Sequence, residues 1–358
     1  MTSRLVGKSR VHTTVLSGVV ARLGDRSVRV HPRSVVVVVL LLAGTFGVYV
    51  LGLVTGDFPL TVGQIVDTLN GFGTGGMEYV VFDLRLPRLT TAVLVGAALA
   101  VSGAVFQSLS RNPLGSPDII GFSAGSATGA IVVLIGTGGG MLAIAAGSVI
   151  GGIATAVVVY VLAYRGGVQS YRLILIGIGV SAVLASVNTF VLTRAGLRQA
   201  QAAQVWLMGS LNGRGWDQVL LIACAVAVLL PAAIALGRRL SLLEMGDATA
   251  AALGVRPERS RLALVVVSVA LTGAATAAAG PIGFVALAAP QVAKRLCRST
   301  GPGLVPAAAM GAFLLLLSDV LSQRFFGQNT LPVGVATAAV GGVYLAWLLA
   351  REWRSGWR

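Results

Sequence analysis

Asp319 stands inside a long apolar run, and an acid at membrane depth must find a partner, a water-filled path or a proton. It is a candidate for carrying an ion or proton, and equally for a hydrogen bond that packs one helix on another. Little else in the chain could share such chemistry. A carrier driven by an ion gradient is expected to show several intramembrane carboxylates, and Asp319 is nearly alone. The histidines, His12 and His31, lie near the N-terminus and far from any clustered ligands, so no metal site follows. Cys224 sits in an apolar run and Cys297 beside basic residues, which implies no disulfide framework. No G-x-x-x-x-G-K-[ST] occurs, so this chain cannot itself be an ATPase. No cluster of His, Asp, Glu and Cys suits a membrane-embedded enzyme.

Four polar or broken stretches remain. Arg85 and Arg88, in RLPR, read as two exposed arginines a turn apart. They suit either a grip on acidic side chains of a soluble partner or snorkelling at the interface. Pro87 between them fits a helix start. Reversing both charges is expected to weaken docking and leave the fold intact. Asn112-Pro113-Leu114-Gly115-Ser116-Pro117-Asp118 is a tight break between apolar runs, either a constriction or a simple turn. Gly280-Pro281-Ile282-Gly283-Phe284 interrupts another run, and broken backbone survives at membrane depth only when buried in protein or lining a cavity. The fourth stretch, Gly237 to Arg261, is an island of five basic residues (Arg238, Arg239, Arg256, Arg259, Arg261) and three acids (Glu244, Asp247, Glu258). Its segment Ser241 to Leu253, with Leu243, Met245, Gly246 and several alanines, has helix-forming composition, and Gly254 fits a C-cap. One or two short amphipathic helices at a membrane surface are expected there. They form either a solvated loop or the docking surface of a soluble partner that drives the membrane part.

Composition says what must hold these stretches. With 56% hydrophobic and 11% charged residues, the chain is an integral membrane protein. Its net charge of +15 sits in short connectors between apolar runs, which orients a chain in a bilayer and does not suit nucleic acid. Apolar runs occur at 34–55, 88–109, 118–136, 140–164, 172–193, 216–236, 260–279, 282–297, 303–322 and 332–350. Ten spans are therefore expected, that at 282–297 the shortest. Residues 1–33 read as a basic cytoplasmic tail, because the first apolar run is long enough to span and unlike a secretory signal. Residues 56–84 read as an external connection with a short helix around Thr61 to Leu69. With the N-terminus inside, alternation leaves only Arg85, Arg88, Arg194, Arg198, Arg214 and Arg324 of the 27 basic residues outside. An even number of spans with both termini cytoplasmic satisfies the positive-inside rule.

An internal echo supports two halves. Gly96 to Gly103 reads GAALAVSG and Gly273 to Gly280 reads GAATAAAG, in the second and seventh spans, which run in opposite directions. Inverted repeats are a common way to build transporters, and small-residue stripes let helices approach closely.

The segments occur in a specific order: RLPR, GAALAVSGAVFQSLSRNPLGSPDIIGFSAG, WLMGSL, LLEMGDATAAALGV, GPIGFVALAAP, SDVLSQR and LPVGVATAAVGG. That series resembles the FecCD-type permeases, membrane subunits of ABC importers for ferric siderophores, haem and vitamin B12, over roughly Leu51 to Leu349. The resemblance implies an all-α transmembrane domain over 34–358 with type II importer architecture, paired as a homodimer or with a paralogous permease around a path at the dimer interface. It implies two cytoplasmic ATPase subunits, which carry the ATP and magnesium, docking on a coupling region at about 238–258. Leu243, Glu244, Met245, Gly246, Asp247, Leu253 and Gly254 belong to that region. An extracytoplasmic binding protein would dock on Arg85 and Arg88. Asn112, Pro113 and Leu114 match the cytoplasmic gate, and Gly280, Pro281 and Gly283 the broken helix beside the path. No cofactor is implied for this chain itself.

Three positions depart from the pattern. Gln291 stands where many relatives carry histidine. Gln323 replaces an arginine, with Arg324 one place later, and Val343 stands where proline is usual. The expected function is a permease that moves a ferric siderophore inward by alternating access. A cobalamin or haem permease is the alternative within the class, and an ion-gradient-driven carrier the alternative outside it.

Overall fold

The structure, a computed structural model, describes residues 19–23, 26–56, 58–164, 170–298, 301–326, 332–339 and 341–343. Arg4, Lys8, Arg10, Arg165, Arg351, Arg354, Arg358 and the end of the tenth expected span lie outside the described residues. A two-stranded antiparallel hairpin, β1 (Val19–Leu23) and β2 (Arg26–Val30), leads into helices. These are α1 (Pro32–Val54), α2 (Val62–Leu69), α3 (Gly75–Glu78), α4 (Leu86–Ser110), α5 (Phe122–Gly136), α6 (Met141–Ala163) and α7 (Ser170–Arg194). There follow α8 (Leu197–Leu207), α9 (Trp216–Glu244), α10 (Asp247–Ala252), α11 (Pro257–Ala279), α12 (Val285–Cys297) and α13 (Leu304–Phe326). Residues 333–339 and 341–343 are also helical.

Seven of these helices are long and apolar enough to cross a membrane, and α5, α12 and the helical residues from 333 onward are shorter. Together they account for the ten expected spans. The 13 residues of α12 rise only about 20 Å, short of the roughly 30 Å hydrocarbon thickness, and irregular backbone at 280–284 precedes it. Helix α4 is the axis of the bundle. Over their most apolar windows the helix containing α4 is 78% buried, whereas α1 and α7 are 11% buried and form the periphery. It packs on α9, α11, α12 and α13.

Alanine and glycine dominate these contacts because lipid gives helices no hydrophobic reason to associate, so close van der Waals approach must hold them. A Cβ on Gly103 would lie 1.7 Å from the Ala286 carbonyl oxygen of α12. Gly96 and Gly311 meet backbone to backbone in the same way. Ser102 Oγ lies 2.9 Å from the Ser268 carbonyl and 2.8 Å from Thr272 Oγ1, while Phe106 and Leu109 share a pocket with Arg261 and Val265. Helices α4 and α11 therefore run antiparallel, with Ser102 of GAALAVSG against Ser268 and Thr272, the turn that precedes GAATAAAG.

The two ends of the bundle follow from contacts. At one end Arg33 Nε donates to the Leu296 carbonyl at 2.7 Å, near Lys294, Arg111 and the Gly237–Arg261 island. At the other end Arg85 reaches the carbonyls of Leu53 and Phe58, and Trp216 Nε1 donates to the Phe82 carbonyl at 2.9 Å.

Several local expectations change. The capping box of Thr61 and Gln64 starts α2, as the short helix expected there requires. Pro87 does not start its helix: helical backbone begins at Gly75 and passes through a π turn at Tyr79–Arg85 into α4. Proline removes one i→i−4 bond, and the wider turn lets the helix continue. The island holds one of the one or two short helices expected there. Helix α9 runs on through Arg238 and Arg239 to Glu244, and only α10, six residues long, is separate. Gly254, with φ +82°, ends α10 as expected, its N–H on the Ala251 carbonyl and that of Val255 on Ala250. The hairpin and α8 have no counterpart among the expected elements.

Candidate functional site

At the Arg111 end, α4 stops at Ser110 and Arg111 takes a left-handed conformation, φ 49°. The next residues turn sharply because Asn112 Oδ1 accepts from the Leu114 N–H at 2.9 Å and the Asn112 carbonyl accepts from Gly115 N–H. Pro113 and Leu114 are exposed at the tip. Beyond the turn the chain dips back into the bundle, where Asp118 accepts from Ser123 Oγ and from the backbone N–H of Phe284. The break at 112–118 is thereby tied to the break at 280–284.

The island corner closes on the same place. Arg111 Nη2 donates to the Leu243 carbonyl at 2.9 Å and lies 3.9 Å from Asp247. Arg261 clamps Asp247 from α11 with contacts of 3.0 and 2.9 Å and also holds Glu258 at 2.9 Å. From α12, Lys294 approaches Glu244 at 4.0 Å. A cleft of about 450 Å³ is lined by Gln107, Arg111, Asn112, Pro113, Glu244 and Lys294 among others. Gln291, also in its wall, donates to Gln107 Oε1 at 2.7 Å, so this position carries a neutral hydrogen bond between α12 and α4. Met245 and Leu253, 64% and 58% exposed, flank α10 as apolar projections on a charged surface.

In the broken segment Gly280 and Ile282 are buried, while Pro281, Gly283 and Phe284 are partly exposed. Gly280, with φ +77°, packs against the Trp206 carbonyl, Gly209 lies against the Pro281 carbonyl, and Ser210 N–H donates to Ala279 O at 2.8 Å. Gly334 N–H donates to Gly209 O at 3.1 Å, so WLMGSL, GPIGF and the chain at Gly334 meet in one knot. Gly283 has open space where a side chain would be.

At the opposite end of α4 the arginines are not free. Arg88 forms a bidentate pair with Asp319, Nε to Oδ2 at 2.9 Å and Nη2 to Oδ1 at 2.8 Å. Asp319 is fully buried and the Arg88 side chain only 17% exposed. Gln323 Nε2 adds a third bond to Oδ2 at 2.9 Å. Asp319 thus packs α13 on α4, the plainer of its two expected roles. Arg85 is half-buried on the Leu53 carbonyl in the last turn of α1, where a cation suits the helix C-terminus, and on the Phe58 carbonyl in the connection beyond. The expectation of two exposed arginines is corrected accordingly. Arg324 is exposed, and with Arg88, Gln323, Thr55 and Thr61 it lines a cavity of about 540 Å³.

Comparison with known proteins decides what this arrangement is. A profile of the FecCD transport family matches residues 39–351. The chain belongs to the FecCD transport family. It is 46% identical over 325 residues to the ferric enterobactin transport system permease protein FepG of Escherichia coli (strain K12), covering 91% of this chain and 98% of that one. It is 36% identical over 339 residues to the achromobactin transport system permease protein CbrC of Dickeya dadantii (strain 3937), covering 92% and 96%. Among solved structures, a metal-chelate type ABC transporter in an inward-facing conformation superposes with TM-score 0.79 at 28% identity, covering 88% of this chain and 99% of that one. This FecCD chain is a multi-pass permease subunit of an ABC transporter.

The sequence pointed to the Asn112–Leu114 turn, the Glu244–Asp247 corner, Arg88 and Asp319, but not to which of them touch. Arg111 and Lys294 counted there only as charges that orient the chain, and nothing local marked them as partners of the corner. The single basic residue directly before Asn-Pro, at a helix end, was the available signal for Arg111.

Proposed function

We propose that this FecCD permease imports a ferric siderophore across the cytoplasmic membrane, its termini on the cytoplasmic side. Two soluble ATPase subunits drive it and an extracytoplasmic binding protein delivers the cargo. In this reading Met245 and Leu253 seat an ATPase around α10, and Leu243 to Asp247 with Gly254 form the surface on which it pushes. Asn112, Pro113 and Leu114 close the path on that side, and the knot at Gly280, Pro281 and Gly283 borders it. A second permease subunit supplies the other wall. ATP and magnesium stay on the ATPase.

The observation that carries the reading is the layout of α4. One end of this buried helix enters the turn and cleft that face the island corner, and the other enters an arginine-lined cavity. A helix so placed can relay a push at one end to a docked protein at the other. The siderophore follows from the cargo named for the enterobactin and achromobactin relatives. A test is purification from native membranes in mild detergent. Co-purification of an ATPase stimulated by a binding protein loaded with ferric siderophore supports the proposal; no associated ATPase, under conditions that preserve a known complex, refutes it.

The outer docking surface is read as the cavity rim, with Arg324 as its exposed cation and Arg85 and Arg88 beneath. Arg324→Glu is expected to raise the binding-protein concentration for half-maximal ATPase stimulation about tenfold, mainly by slowing association. A titration of binding protein against the reconstituted complex reads this directly; an unchanged midpoint would remove Arg324 from the surface.

A further inference from the structure

We infer that Arg111 is the positioning residue through which the island corner moves the Asn112–Leu114 turn. The inference rests on the reading of that corner as the ATPase-driven surface, and it names the physical link. Arg111 caps α4 and directly precedes Asn112, so its backbone is continuous with the turn. Its guanidinium is bonded to the Leu243 carbonyl in the last turn of α9, an acceptor that also takes the Gly246 N–H at 3.2 Å, so Arg111 grips the closing turn of that helix. The same guanidinium lies 3.9 Å from Asp247, the first residue of α10. One side chain thus touches both sides of the α9–α10 corner while its own backbone begins the turn.

The other cations around the corner are differently placed. Arg261, 12% exposed, holds Asp247 and Glu258 together, but it belongs to α11, whose backbone does not run into the turn. Lys294 approaches Glu244 from α12 at the longer distance of 4.0 Å. A displacement of residues 243–247 therefore reaches the turn most directly by pulling Arg111. The pair with Asp247 contributes little by itself, since both side chains are about half exposed. The bond to the carbonyl of Leu243 is charge-assisted and directional, and it supplies the grip. Its loss should lower coupling by a factor of about ten.

The experiment uses the complete transporter in proteoliposomes and measures substrate moved per ATP hydrolysed. Arg111→Ala is expected to hydrolyse ATP at a rate near that of the parent while transport falls about tenfold. Arg111→Lys, which keeps the charge near Asp247 but loses the planar fork, should fall between the two. A wild-type ratio in Arg111→Ala would overturn the inference. So would loss of assembly or of ATP hydrolysis together with transport, which would make Arg111 a structural residue only. Failure of the parent complex to couple ATP hydrolysis to transport would instead strike the proposed function itself.

Discussion

Arg88→Ala is expected to destabilise the folded chain by about 3–5 kcal/mol, the cost of leaving the Asp319 carboxylate buried and unpaired. Asp319 has no exposed surface, and two of its three side-chain bonds come from Arg88. Gln323 alone cannot balance a full charge. The measurement is the thermal midpoint of the detergent-solubilised protein, followed by loss of the monodisperse size-exclusion peak. Charge reversal at Arg88 should be worse still, since it sets two carboxylates together. The expectation that reversing Arg85 and Arg88 spares the fold is therefore revised. Replacing the pair together, Arg88→Met with Asp319→Leu, should recover most of the midpoint, because a buried pair exchanged for apolar residues of similar volume is often neutral. If Arg88→Ala melts like the parent, the ion pair is not what holds α13 to α4.

Gly103→Ala alters the last glycine of one copy of the eight-residue pattern and Gly273→Ala the first glycine of the other, and opposite results are expected. A methyl on Gly103 would meet the Ala286 carbonyl carbon at 2.6 Å as well as its oxygen at 1.7 Å, so α4 and α12 must part. Overpacking of that kind costs about 1–3 kcal/mol and sometimes more, and backbone on the other side leaves no side chain to yield. At Gly273 the nearest atom to an added methyl is the Val149 Cα at 3.6 Å, ordinary contact distance. Exchanging glycine for alanine within a helix favours stability by about 0.5–1 kcal/mol. Gly273→Ala should therefore match or exceed the parent in thermal midpoint, and Gly103→Ala should lose several degrees. Equal effects would mean that the close approach of α4 and α12 is not a constraint on the fold.

That contrast also marks how far the sequence could be read. Apolar runs and charge placement disclosed ten spans, because length and burial of charge are decided residue by residue. The pattern G-A-A-x-A-x-x-G disclosed small faces on two helices, but which glycine touches a backbone depends on the partner, here Ala286 far along the chain. The same holds at Arg88 and Asp319, separated by 231 positions. Each was visible as unusual, yet an arginine at a helix end reads as exposed until the helix against it is known. The apolar run at 216–236 continues as α9 to Glu244, past the charges at Arg238 and Arg239. It continues because helix propensity does not end at the membrane surface, and the positive φ of Gly246 sets the true boundary. Gly254 was legible because a C-cap glycine is a local device.

The most direct test of the account is uptake of radioactive iron into proteoliposomes holding the complete complex, with a ferric siderophore on its binding protein. The account predicts uptake that requires ATP on the side of the Leu243–Asp247 corner, persists without any ion gradient and stops when the binding protein is omitted. Uptake driven by a proton or sodium gradient in the absence of ATP would contradict it.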